Sequence, residues 1–222
     1  MSYADSIVAL ALEAEGAAFG NARRSEYLRA CYPYDTPADA ESMGRAQSAC
    51  MLFARGLLSR QLDAQGRPEL DGAIRWRGGQ LDALRTPYAK TIGLIEPLLQ
   101  ELAKQKGWLV PELWKGEALA DGTPLPPELL PGDLVVVGNL GSPPQLEPHR
   151  SQWSATWGGV THGLIVTGAH GLEVASVDGG QTDPGNGGLP TAITKRQRRL
   201  ERRHNGWWLG GRRLNWALRV QP

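Results

Sequence analysis

The sequence predicts an α+β domain in which N-terminal helices pack on a C-terminal antiparallel β-sheet, and two observations predict it. Up to Gly107 the apolar residues recur mostly at helical spacing, whereas after Pro131 they fall in short β-rich runs broken by glycine and proline. Helices first and antiparallel strands second is the signature of an α+β layer arrangement. The 222 residues favour a single domain, 1–222, long enough to bury a real core.

The elements follow from local signals. Ser2 to about Ala30 reads as helical and ends before Tyr32-Pro33, because the residue before proline is pushed out of the α region. Thr36-Pro37 is an N-cap followed by proline at the first helical position, and this second helix either runs on or breaks near Gly44 and restarts at Ser48. Cys50, Ala54, Leu57 and Leu58 then share one apolar face, so Cys50 points inward. Thr86 to Lys106 predicts a third helix, kinked or split at Pro97, and Trp108 to Pro131 a loop-rich bridge. Beyond it come a buried run, Asp133 to Gly138, and a long loop, Asn139 to Gly159. A hairpin follows, Thr161 to Thr167 with Leu172 to Asp178, and then a second pair around Gly210-Gly211.

Composition excludes several classes. Hydrophobic residues at 41% and charged residues at 21% are those of a folded chain, not of a coiled coil or a disordered one. Two cysteines, Cys31 and Cys50, with four scattered histidines exclude a disulfide scaffold and argue against a structural zinc site, so no cofactor or metal is expected. No apolar run approaches the ~20 residues of a membrane span. The N-terminus lacks the charged and apolar regions of a signal peptide. Synthesis in the cytoplasm is expected, with export by a leaderless or lysis route left open.

The net charge of +1 hides an asymmetry: residues 195–222 hold nine basic side chains against Glu201, leaving 15 of the 24 basic and 22 of the 23 acidic groups elsewhere. That basic end reads first as a solvated face balancing an acidic body. Contact with nucleic acid or an anionic wall polymer is the alternative.

The chemistry-bearing residues converge on the hairpin. If its loop is Ala169-His170-Gly171, His162 and Asp178 stand directly opposed, with Cβ atoms ~5 Å apart on one face. A carboxylate there fixes the tautomer and orientation of an imidazole, which is what a catalytic base requires of its partner. A cysteine in an apolar helix is by default a small core residue. Near the first turn of a restarted helix, however, the dipole and an adjacent imidazolium lower a thiol's pKa, which makes Cys50 the candidate nucleophile. Gln47, a nearby amide donor, and Gln181 are candidate substrate-binding residues. Gly179 and Gly180 leave room for a substrate backbone, and Trp157, with Trp153, enters the histidine strand where a cleft would grip sugar or peptide. Cys31, at a helix end, is read as structural.

The order of a helix-borne cysteine, then Pro-Gly-Asp-Leu-Val-Val-Val, then Thr-His-Gly-Leu-Ile-Val-Thr-Gly, then a polar residue closing the next strand resembles the papain-like NlpC-type and CHAP-type cysteine hydrolases. The likeness covers 48–58 and 131–181. It implies a papain-like fold, Cys50 as nucleophile, His162 as base, Asp178 or Gln181 as the orienting residue, and peptidoglycan peptides as substrate, cleaved as an amidase or endopeptidase. An immunity or inhibitor protein would be a partner of an antibacterial enzyme of that kind. The chain departs from the family at Ala49 and Met51, which flank the cysteine. The 112 residues from Cys50 to His162 require an extra helical insertion at about 61–130. Two alternatives remain: the same thiol chemistry on a protein or small-molecule amide, including deamidation, and a non-catalytic module binding wall polymer or nucleic acid, the latter expected to be an unlikely partner.

Overall fold

The computed structural model describes residues 2–33, 36–46, 49–64, 112–114, 127–138, 162–203 and 206–219. Within them lie four helices, α1 (Tyr3–Glu13), α2 (Arg24–Cys31), α3 (Pro37–Ala46) and α4 (Cys50–Ala64). Seven strands follow: β1 (Glu112–Trp114), β2 (Leu134–Gly138), β3 (His162–His170), β4 (Glu173–Asp183), β5 (Leu189–Arg203), β6 (Gly206–Leu209) and β7 (Arg212–Arg219). The predicted third helix at 86–106 and most of the predicted insertion lie outside the described residues.

The expected papain-like arrangement, helices on an open antiparallel sheet, is corrected. The strands run in the order β1-β7-β2-β3-β4-β5-β6, and β6 also pairs with β7, so β2 to β7 close into a six-stranded antiparallel barrel, with β1 pairing to the end of β7 along the edge that β6 uses at its start. Closure depends on β5. Its first part pairs with β4 from Leu189 to Arg199, and its last part with β6 from Leu200 to Arg203. One 15-residue strand therefore carries the sheet around to the β6–β7 hairpin, which returns to β2. In the sequence, the second half of that strand stands out only as a basic run from Lys195. The two glycines of the hairpin turn, Gly210 and Gly211, both take positive φ, the backbone a tight β-hairpin turn demands.

Closure creates two cores. Val135, Val137, Leu164, Val166, Val174, Leu200, Leu209 and Leu214 pack together inside the barrel. On the outside, Leu134, Ile165, Val177 and Ile193 meet Ile7, Ala11, Tyr27, Phe53 and Leu57 of the helices. Alternate residues of the same strands thus serve different cores, as the two-residue period of a strand requires.

The N-terminal helix is two helices rather than one. Ser2 and Asp5 form a reciprocal capping box for α1. Gly16, at φ 81°, turns the chain, and Asn21 holds the turn by accepting from the Ala18 and Arg23 amides. Residues 16–19 then lie along the free side of early β5, with hydrogen bonds from Gly16 and Phe19 N–H to Ile193 and Thr191 oxygens and from Ile193 N–H to Ala17 O. At α3, Thr36 caps as expected, its Oγ1 accepting the Asp39 amide at 3.2 Å. The predicted loop-rich bridge also contains the short strand β1.

Candidate active site

Cys50 is the first residue of α4, so the helix does restart, two residues later than the earliest reading. What fixes the start is the preceding backbone: Ala49 N–H donates to Pro190 O of β5 at 3.1 Å, and Ala49 O accepts Phe53 N–H at 2.7 Å. Gly179 permits the seating. A Cβ there would lie 2.5 Å from Phe53 Cβ and 2.7 Å from Ala49 O, so only glycine lets α4 press its first turn onto β4.

His162 opens β3 on the barrel-side face, opposite Val137 of β2. The β3–β4 register differs from the predicted one. The turn is Gly171-Leu172, His170 faces Glu173, and a bulge at Thr167 leaves Leu164 opposite Asp178. Direct opposition of His162 and Asp178 is therefore corrected to a diagonal one. Because the offset is two residues, both side chains keep the same face, and diagonal neighbours ~7–8 Å apart remain within reach of long side chains. His162 Nε2 and Asp178 Oδ2 are 2.7 Å apart, with the histidine 4% and the aspartate 0% exposed.

Cys50, itself buried, is the second group that acts on the imidazole, and its interaction with His162 raises the histidine's pKa. Three of the sequence-predicted residues are thus brought together, Cys50 from α4, His162 from β3 and Asp178 from β4. Gln181 is not at the imidazole. Its Oε1 accepts from Arg196 at 2.8 Å and its Nε2 donates to Gly179 O at 3.3 Å. Gln47 and Trp157 lie outside the described residues.

No protein-family model, curated protein or solved structure matches the chain.

The electrostatics follow from burial and contact. Burial opposes charge on the imidazole, but its hydrogen bonds to Asp178 and Cys50, together with their negative charge, outweigh that cost and raise the His162 pKa. Burial likewise opposes ionisation of Asp178. The hydrogen bond from His162, the charge of Arg198 and the hydroxyl of Ser176 overcome it and hold the carboxyl below its ordinary range. Cys31 contrasts: burial pushes its thiol up and the charge of Cys50 adds to the effect, against a smaller opposing hydrogen bond from Tyr27.

Two residues around the carboxylate escaped the sequence reading. Ser176 donates to Asp178 Oδ1 at 2.6 Å, and Arg198 pairs with Asp178 Oδ2 from β5. Ser176 was within reach of the pattern, two residues before Asp178 on the same face. Arg198 was hidden in the basic run, since finding it requires β5 to be seen as a strand along β4. The arrangement can stabilise a thiolate–imidazolium pair and hand a proton from imidazole to a leaving group. Among the described residues no cluster of three or more His, Cys, Asp or Glu side chains could hold a metal ion, and no helix is long and apolar enough to cross a membrane.

Proposed function

We propose that the chain is a cysteine hydrolase that cleaves amide bonds. The observation that carries this reading is the buried grouping of Cys50, His162 and Asp178, with the imidazole held at 2.7 Å by the carboxylate and the thiol interacting with the same imidazole. A histidine shared in this way between a thiol and an acceptor carboxylate is the arrangement that activates a nucleophile.

In the first step the Cys50 sulfur attacks the amide carbonyl carbon and the carbonyl electron pair moves to oxygen. The α4 dipole, positive at the end that carries Cys50, favours both the thiolate and this oxyanion. His162 then gives its Nδ1 proton to the amide nitrogen as the C–N bond breaks, leaving a thioester on Cys50. Water, deprotonated by the now neutral imidazole, attacks the thioester and releases the acid and the thiolate. Throughout, Asp178 accepts from Nε2–H, so that Nδ1 is the nitrogen that exchanges the proton.

The substrate class rests on the sequence resemblance to NlpC-type and CHAP-type hydrolases at 48–58 and 131–181, which directs the chemistry to peptides of bacterial peptidoglycan. Incubation with purified peptidoglycan, followed by mass spectrometry of the soluble fraction, tests it. Release of muropeptides by the wild-type protein and none by Cys50→Ala is expected. A wild-type protein that alkylates at Cys50 but releases nothing at any pH would exclude this substrate and leave a protein or small-molecule amide.

A further inference from the structure

We propose that Arg198 is a positioning residue of the site: it acts through Asp178, keeping that carboxylate charged and aimed diagonally at His162, and so sustains the reactivity of Cys50. The inference rests on the reading of Cys50, His162 and Asp178 as a reactive unit.

Arg198 stands opposite Val174 on β5, with its side chain running into the barrel and only 13% exposed. Its guanidinium reaches Asp178 Oδ2, the oxygen that also takes His162, and its Nε lies 3.4 Å from Ser176 Oγ, which in turn donates to Asp178 Oδ1. Both carboxylate oxygens are thereby engaged, and the carboxylate plane is fixed by β4 and β5 together. The β6–β7 turn covers the arginine: a Cβ at Gly210 would fall 2.8 Å from Arg198 Nη1 and 3.2 Å from its Cγ. The residue is thus built into the wall beneath the site, unlike its neighbours Lys195, Arg196 and Arg199, which are exposed.

The reason for a cation here is the complete burial of Asp178. A carboxylate taken out of water without a countercharge takes up a proton instead. His162 is a poor countercharge for this purpose, because it is neutral during part of the proposed cycle, whereas a guanidinium is always charged. The ionisable groups acting on the pair are Cys50 from α4 and Arg198 from β5, while β2 and β3 face it with Val137 and Leu164. Without Arg198, Asp178 protonates at higher pH. The imidazolium then loses its partner, and the Cys50 thiolate forms only at higher pH.

The test is the pH profile of Cys50 alkylation by iodoacetamide in the full chain, read by mass spectrometry at that residue. Arg198→Gln is expected to move the acid limb up by about one pH unit, roughly a tenfold loss of rate at fixed acid pH, since one unit is a factor of ten. Arg198→Lys, which keeps the charge, is expected to restore at least half of that displacement. A limb in Arg198→Gln that coincides with the wild type overturns the proposal, as does a limb equally displaced in Arg198→Lys. Where Arg198→Gln does not fold, Asp178→Asn with and without Arg198→Gln carries the test. The two limbs must coincide, and a further shift would show that Arg198 acts other than through Asp178. A wild-type Cys50 with no low-pH reactivity would instead sink the reading of the site on which the inference rests.

Discussion

Asp178 faces Leu164 in the β3–β4 ladder yet bonds His162, its diagonal neighbour, at 2.7 Å. The carboxylate serves the imidazole only while it is an acceptor. In Asp178→Asn the amide can present an N–H to Nε2 and favour the wrong tautomer. Cys50 alkylation at pH 6 should slow on the order of tenfold or more, an effect of losing the charge that supports the imidazolium. A wild-type rate in that variant would remove Asp178 from the account.

At Gly179 the first turn of α4 lies so close to β4 that no side chain fits between them. Gly179→Ala must displace Phe53 or the Ala49 carbonyl, the group that caps the first turn of α4. Overpacking of this kind should cost about 1–3 kcal/mol, measured by urea denaturation. Activity should fall further than stability alone explains, because the displaced turn carries Cys50. The comparison is the rate of Cys50 alkylation under conditions where the variant is fully folded.

The local signals were legible and the closure was not. Thr36-Pro37, the Gly210-Gly211 turn and the β-rich run before Gly138 each announced an element that the fold contains. Pairing His162 with Asp178 needed only their shared face, and that survived a two-residue change of register. The turn falls at Gly171-Leu172 rather than at Ala169-His170-Gly171, which alone moves the pairing by three residues, and a bulge at Thr167, with no signature in a Val-Thr-Gly sequence, takes one back. The barrel was missed for a similar reason. Lys195 to Arg203 has the charge of a solvated segment, and seven of its nine residues are exposed, but the backbone continues the sheet and Leu200 reaches the interior. Without β5 there was nothing to carry the sheet round to β6, and Arg198 could not be placed beside Asp178.

Asp183 anchors the other end of β4. Its carboxylate, 2% exposed, accepts from the amides of Gly20 and Gly185 and from the Thr191 hydroxyl. Asp183→Ala leaves those donors unpaired and should destabilise the protein by about 3 kcal/mol, given the cost of orphaned buried groups. The urea midpoint reports it, and Asp183→Asn should fall between the two proteins because it retains an acceptor.

The raised pKa of His162 makes a prediction about stability against pH. A group whose folded pKa lies above its unfolded value, ~6.5 for histidine, stabilises the fold fully below that value. The contribution is lost as pH rises through the folded pKa. The stability difference between wild type and His162→Gln should therefore be larger at pH 5.5 than at pH 9. Asp178 has the opposite sign: its stabilisation is present above the ordinary carboxylate range and fades as pH falls through its lowered folded pKa. Denaturation curves at several pH values separate the two. A His162→Gln difference that grows toward alkaline pH would contradict the coupling.

The central claim is that Cys50 and His162 form an activated pair, and selective alkylation measures it most directly. With iodoacetamide near pH 6, peptide mapping should find Cys50 modified and Cys31, whose thiol burial pushes up, untouched. In His162→Ala the Cys50 reaction should disappear at that pH and return only toward ~8.5, where an ordinary thiol ionises. A Cys50 that is unreactive at pH 6 in the wild type, or equally reactive with and without His162, would contradict the account.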